Sequence, residues 1–436
     1  MLATIGSVAS LLVGLAFLIA GHGLQLTLIP LRATAEGWTP FEIGVIGSAY
    51  YVGFVAGCLV APHVILRAGH IRAFAALVSL CSAVTLLQAI FVAVAPWILF
   101  RMLVGATLAG LYMINESWLN DRAANENRGT IMGVYIAVNF AAITVGQLMV
   151  GLGSPTSFTL FAVASVAISL AAIPVALTTS AQPAPLAVAR LRPKELYAAS
   201  PVGLVGVTVV GIANGAFWAL AAVYAVGEGL DDHQVAIFTG LATVSGAVAQ
   251  WPIGRISDRI DRRIVLATLL ALAACVGLAL AFLPIAGGLW IPLAVAFGLV
   301  TFPTYSVAAA HAYDFAPAGG HVATAAGLLL ANGFGAIIGP ILAAALMEAT
   351  TTAMLFVFTA FAQCGLALFA IARMRTRATL PATEKVDFDL AATAPMGTVI
   401  PPEPLDPAHD LVLMPGGATP EAMPPEEPPG PPAASP

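Results

Sequence analysis

Gly254-Arg255-Ile256-Ser257-Asp258-Arg259-Ile260-Asp261-Arg262-Arg263 is ten residues of charge and turn set between two long apolar runs, about 234–253 and 264–285. Four arginines and two aspartates cannot lie in hydrocarbon, and the runs around them cannot be covered by water, so the segment marks a membrane surface. Gly254 permits close backbone approach, Asp258 can accept from a helix N-terminus or a cation, and the arginines anchor the loop at the inner surface.

The same alternation runs through the whole chain. Of 436 residues, 59% are hydrophobic and 9% charged, and mean hydropathy is +0.94. A spanning helix needs roughly 20 apolar residues at about 1.5 Å rise each. Twelve stretches qualify, at about 5–30, 41–64, 71–94, 96–118, 130–152, 156–178, 200–226, 234–253, 264–285, 289–312, 323–346 and 351–373. Fifteen of the 17 Lys and Arg residues fall after the second, fourth, sixth, eighth and twelfth stretches, from Arg67 and Arg72 through Arg122 and Arg128 to Arg373, Arg375, Arg377 and Lys385. By the positive-inside rule those loops are cytoplasmic. The expectation is a multi-pass protein of the cytoplasmic (inner) membrane with both termini inside. The first stretch lacks a basic n-region and exceeds an h-region in length, so it reads as a retained helix rather than a signal peptide.

The organisation expected is a six-helix N-terminal bundle over 1–178, a cytoplasmic linker over 179–199, a six-helix C-terminal bundle over 200–374 and a tail over 375–436. The tail holds 15 of 31 prolines and nine acidic residues, a composition that favours disorder beyond about 380. A shift of 193 lays Asn139 on Asn332, Gly146 on Gly339 and Asp121 on Asp314, and a shift of 197 lays Gly57 on Gly254. Parallel six-helix repeats with a solute path between them are a transporter architecture.

The Gly254–Arg263 segment resembles the G-x-L-a-D-R-x-G-R-R loop of the Major Facilitator Superfamily, with Asp261 at the usual second Gly. The first-half counterpart, Gly57 through Arg72, is degenerate and has Ala61 at the Asp position. Arg101-Met102-Leu103-Val104-Gly105 is similar to the R-x-x-x-G of the fourth helix. Asn115-Glu116-Ser117-Trp118, Asn127-Arg128-Gly129, His311-Ala312-Tyr313-Asp314 and Gly339-Pro340 resemble the bacterial YcaD-like branch. The resemblance covers residues 1–375 and implies a twelve-helix, all-α membrane protein of two pseudo-symmetric six-helix bundles that carries a small solute.

Arg101 is the one basic residue inside a span and must face protein or water. It reads as a gate or coupling residue, or as a structural cation packed against the first helix. With Gly105, Tyr112, Asn115 and Glu116 it forms one polar stripe. Substrate-cavity candidates are Gln25, Arg101, Asn139, Asn214, Trp218, Tyr305 and Asn332, since buried amides, phenols and indoles need partners; each alone is equally a helix-to-helix contact. Gate and ion-pair candidates are Glu116, Arg128, Gly254, Asp258, Arg259, Arg262, His311 and Asp314. Glu116 reads as a static inner-gate ion pair beside Arg122 and Arg128. His22, Tyr50 and Tyr51 are ambiguous between function and packing.

No His-Glu-x-x-His helix, Gly-x-Ser-x-Gly turn or nucleotide loop is present, so metalloprotease, hydrolase and ATP-driven pump lack their working parts. Cys58, Cys81, Cys275 and Cys364 lie within apolar runs at no metal-ligand spacing. No enzyme activity, metal or cofactor is expected. The expected partners are the bilayer and a small solute, with a coupling proton or cation as an option; no nucleic acid is expected, and no feature speaks for an obligate oligomer, so a monomer is expected. The competing reading is a membrane sensor or scaffold that recruits a partner through its tail.

Overall fold

The computed structural model describes residues 8–122, 128–177, 193–317, 320–376, 385 and 388. The described residues of the first 401 form one body, and residues 402–436 lie outside the description. Among the described residues twelve helices are long and apolar enough to cross a membrane. They are α1 (Ala9–Ala35), α2 (Pro40–Ala68), α3 (His70–Ile90), α4 (Val94–Arg122), α5 (Arg128–Leu148), α6 (Phe158–Leu170 and Ala172–Ala176), α7 (Pro201–Gly227), α8 (Asp232–Arg259), α9 (Arg262–Phe282), α10 (Trp290–Thr301 and Pro303–Tyr313), α11 (His321–Ala349) and α12 (Met354–Met374). A short helix, Pro193–Ala199, precedes α7. Several helices overrun the apolar runs that predict them, because polar residues cap and extend them beyond the hydrocarbon. Thr39 accepts from the Glu42 amide while Glu42 accepts from the Thr39 amide, and Asp231 and Gln234 do the same at the start of α8.

The two halves repeat each other in detail. Within the first half α1 packs on α5, α2 on α4 and α3 on α6; within the second α7 packs on α11, α8 on α10 and α9 on α12. The turns that enter the two capped helices repeat as well. Glu36-Gly37 and Glu228-Gly229 close α1 and α7 alike, with Gly37 at φ 76° and Gly229 at φ 86°, where a side chain is strained and glycine is not.

The close backbone contacts inside each half follow the same register. Gly105 of α4 lies against the Tyr50 carbonyl of α2, and Gly298, 193 residues on, lies against the Ala242 carbonyl of α8. Gly146 of α5 meets the Ala20 carbonyl of α1, and Gly339 of α11 meets the Ile212 carbonyl of α7. Water is absent from this environment as a driving force, so such small-residue contacts carry the association of helices. The Gly57 and Gly254 match is different in kind: Gly57 backs onto Ala106 of α4, whereas Gly254 faces the ring of Phe388.

Between the halves α2 packs on α11, α5 on α8, and α7 on α1 and α2. The bonds across this seam lie toward the end that carries the capped starts of α2 and α8. The Phe41 amide donates to Glu348 at 2.9 Å, Thr27 and Thr239 share a hydrogen bond at 3.3 Å, and Thr243 donates to Gln147 at 3.0 Å. At the opposite, basic end the side-chain bonds among the described residues include ones within a half, His70 with Ser117 and Arg262 with Asp314. The bundle is closed at the capped end in this state. Outward faces carry large apolar side chains such as Phe361, Leu368 and Phe282, each more than 60% exposed, a surface suited to lipid.

Gly105→Val and Gly146→Leu each place atoms where a backbone carbonyl already sits. Each is expected to cost about 1–3 kcal/mol or more through overpacking, read as a lower melting midpoint of the detergent-purified protein. Gly365→Ala, in open space on exposed α12, should leave it within about 0.5 kcal/mol of wild type.

Candidate functional site

A cavity of about 140 Å³ lies between the halves, room for roughly one aromatic ring. Its wall comes from both bundles. Tyr50, Tyr51 and Phe54 of α2, His22 of α1 and Tyr112 of α4 face Asn214 and Trp218 of α7, Asn332 of α11 and Gln250 of α8. Among the seven cavity candidates, Asn214, Trp218 and Asn332 line it. Asn332 also donates to the Val207 carbonyl at 2.9 Å, tying α11 to α7. Trp218 stacks on Phe302 at 5.2 Å with the rings 8° apart. Phe302 is there because Pro303 has no N–H to donate, which divides α10 at that residue.

The other four candidates stand off the wall. Tyr305 is buried in the packing of the second half, and Asn139 donates to the Tyr135 carbonyl of its own helix. Gln25 and Arg101 sit one layer behind Tyr50. Gln25 donates to Thr85 at 3.1 Å and accepts from Arg101 Nη1 at 3.5 Å. The guanidinium lies over the Tyr50 ring, 4.8 Å from its centre, a cation–π contact. Tyr50 in turn stacks on His22 at 5.4 Å and bonds to its Nε2 at 3.4 Å. Arg101 is 4% exposed, and among the described residues no carboxylate lies within salt-bridge reach of it. A charge at such depth costs about 2.5–3.5 kcal/mol on insertion scales, so the Tyr50–Gln25 cradle offsets only part of a standing penalty.

Sequence reasoning passed over Thr243, Gln250 and Phe302 as wall residues. Pro303 was the available signal for Phe302; Thr243 and Gln250 carry none, because a lone Thr or Gln in an apolar helix reads equally as packing.

The gate candidates occupy two clusters at the basic end. In the second half Arg262 is buried and holds Asp314 at 2.9 Å, Asp258 at 3.1 Å and Ser257 at 3.3 Å, joining the 8–9 loop to α10. Arg263 pairs with Asp261 at 2.8 Å. Arg259 is exposed, and His311 is buried edge-on against Phe315 at 5.1 Å. In the first half Glu116 is buried and accepts from Tyr135 at 2.8 Å. Arg122 and Arg128, its expected basic neighbours, have side chains outside the described residues, and among the described ones no cation lies in salt-bridge reach. His70 bonded to Ser117 at 3.2 Å stands where the second half has its ionic cluster.

Two residues of the segment expected to be disordered are in contact with the body. Lys385 Nζ donates to the carbonyls of Ser257, Asp258 and Ile260, at 2.6 Å in the last case. The Phe388 amide donates to Asp258 Oδ1 at 3.1 Å.

The Major Facilitator Superfamily profile matches residues 11–331, with a second match over 204–411. A bundle of two repeated six-helix halves around one cavity is the architecture of a membrane solute transporter rather than an enzyme, and the chain belongs to the Major Facilitator Superfamily. Relatives include an uncharacterized MFS-type transporter of Yersinia pestis, 25% identical over 80% of this chain and 91% of its own length, and the transporter YcaD of Escherichia fergusonii, 25% identical with the same coverage. The fold is similar to that of a mutant of the nucleoside transporter NupG (TM-score 0.74, 13% identity, 84% of this chain and 99% of that one). It is also similar to a bacterial homolog of the human lysosomal transporter Spinster (TM-score 0.65, 13% identity, 85% and 95%).

Arg262→Ala removes the guanidinium shared by Asp314 and Asp258 at the basic end. It is expected to destabilise by about 3–5 kcal/mol, the range for breaking a buried ion pair, measured as a drop in melting midpoint, whereas Arg259→Ala, at an exposed position, should leave the midpoint nearly unchanged.

Proposed function

We propose that the protein moves a small solute across the cytoplasmic membrane by alternating access, with the basic loops and both termini on the cytoplasmic side. The observation that carries this reading is the cavity shared by both halves beneath a seam sealed at one end by Thr27, Thr239, Phe41 and Glu348. Each half is held internally by its glycine contacts, while the seam between halves combines a few side-chain bonds with the close approach of Gly44 of α2 to the Pro340 carbonyl of α11. Rocking the halves opens that seam and leaves the packing inside each half intact, the condition for rigid-body switching. The charge distribution supports the orientation.

In this reading the polar lining, Asn214, Asn332 and Trp218, meets the solute, and the Arg262–Asp314–Asp258 cluster braces the cytoplasmic end. The division into bundles at 1–178 and 200–374, a linker at 179–199 and a tail from 375 fits it. A solute gradient or an ion gradient drives the cycle. The protein works as a monomer, since the cavity is complete within one chain.

The test needs no substrate. With the four native cysteines replaced, Asn332→Cys should react with a membrane-impermeant thiol reagent applied from either face. Adding Thr27→Cys and Thr239→Cys and oxidising the pair, whose present oxygens are 3.3 Å apart, should abolish reaction from the outer face and preserve it from the cytoplasmic face. Reduction should restore both. Labelling of residue 332 from outside in the cross-linked protein would remove the alternating-access reading, and reaction of Arg259→Cys only from outside would reverse the orientation.

A further inference from the structure

The buried polar atoms without a partner on the cavity wall or directly behind it include three nitrogens, Arg101 Nε, Gln250 Nε2 and His22 Nδ1, and one acceptor oxygen, Asn214 Oδ1. Guanidinium and primary amide nitrogens only donate hydrogen bonds, and the imidazole nitrogen donates in one tautomer. The cavity wall, among the described residues, includes no Asp or Glu. The titratable groups that face Arg101 are Tyr50, Tyr51, Cys81 and His22, none of which is a carboxylate. Glu116 lies fifteen positions along the same helix, about 22 Å away at 1.5 Å per residue, and is held by Tyr135. One formal positive charge therefore stands behind the wall with no counter-charge in the low-dielectric interior, where attraction for an incoming anion is strongest. Beside its amides the wall presents the flat ring faces of Tyr51, Phe54, Trp218 and Phe302.

We propose that the solute is a small organic monoanion, a carboxylate or its equivalent on a flat apolar body about the size of one ring, drawn by the Arg101 charge and met at the wall by Tyr50 and His22. This deepens the transport reading and rests on it. A cationic solute would be repelled by the same charge, and a neutral one would leave the guanidinium as it stands. In the described state the Tyr50 ring covers Arg101, so Arg101 acts through Tyr50 and is a positioning residue whose charge sets the sign of what binds.

The full-length protein in nanodiscs tests this with three probes that share a ring and differ in charge: benzoate, benzamide and benzylammonium, at equal ionic strength. Melting midpoint and Trp218 fluorescence are the two readouts, with Trp218→Phe separating that signal from the other five tryptophans. Benzoate should raise the midpoint and change the fluorescence saturably, and the two others should do neither. Arg101→Gln should weaken benzoate at least tenfold, and Arg101→Lys, which keeps the charge, should recover most of the loss. If Arg101→Gln lowers the ligand-free midpoint too far to be measured, Tyr50→Phe keeps the ring over the guanidinium and removes the hydroxyl; it should weaken benzoate several-fold. Equal responses to benzoate and benzamide, an Arg101→Gln protein that responds like wild type, or no response to benzoate would each overturn the assignment. Saturable binding of benzamide or benzylammonium with two-sided labelling of residue 332 intact sinks the anion alone and leaves the carrier standing.

Discussion

Backbone-to-backbone contact at glycine is the constraint on which the molecule rests. Lipid offers helices no hydrophobic reason to associate, so cohesion within a half must come from surfaces that fit closely. Gly105 against the Tyr50 carbonyl and Gly146 against the Ala20 carbonyl lock α4 to α2 and α5 to α1, and Gly298 and Gly339 do the same in the second half. These contacts also place the functional wall. The glycine that brings α4 onto α2 fixes the backbone of Tyr50, and Tyr50 is the side chain between Arg101 and the cavity. The seam uses the same kind of contact at Gly44 of α2, which meets the Pro340 carbonyl of α11, and adds hydroxyl, amide and carboxylate bonds to it.

The repeat is faithful in packing and unfaithful in charge. Both halves use the same helix pairs and the same capped turn, yet Arg101 has Ala294 at its 193-shifted position, and His70 has Arg263. The second half holds its basic end with an ionic cluster around Arg262; the first uses His70, Ser117 and the Tyr135–Glu116 bond. Packing tolerates few substitutes for glycine at a carbonyl, whereas charge answers to what each half must hold. That division explains how duplicated halves come to surround a cavity that is electrically one-sided.

What could be read from residues alone follows the same line. The twelve helices and the loops were legible because Lys and Arg are costly in hydrocarbon and so punctuate the chain. The cavity was legible in part. Asn214, Trp218 and Asn332 line it, but Tyr305 and Asn139, polar residues of the same kind, point into packing. In a helix buried on several sides, as α10 is, apolar periodicity no longer marks which face looks inward. Arg101 was identifiable as a buried cation, but its placement behind an aromatic ring depends on α2, α1 and α4 meeting, which no local pattern encodes. Composition pointed to disorder past 380, yet Lys385 and Phe388 carry a cation and a ring to a helix end that accepts both.

That last contact changes where the folded body ends. The carbonyls of Ser257, Asp258 and Ile260 close α8, and helix ends leave such acceptors without intrahelical donors. A lysine 125 positions downstream of Ile260 supplies the donor, much as a terminal-turn cation would. A protein trimmed at the close of α12 for crystallisation, or fused there to a reporter, is therefore missing part of its own eighth helix cap, and the rim at its basic end is no longer that of the native chain.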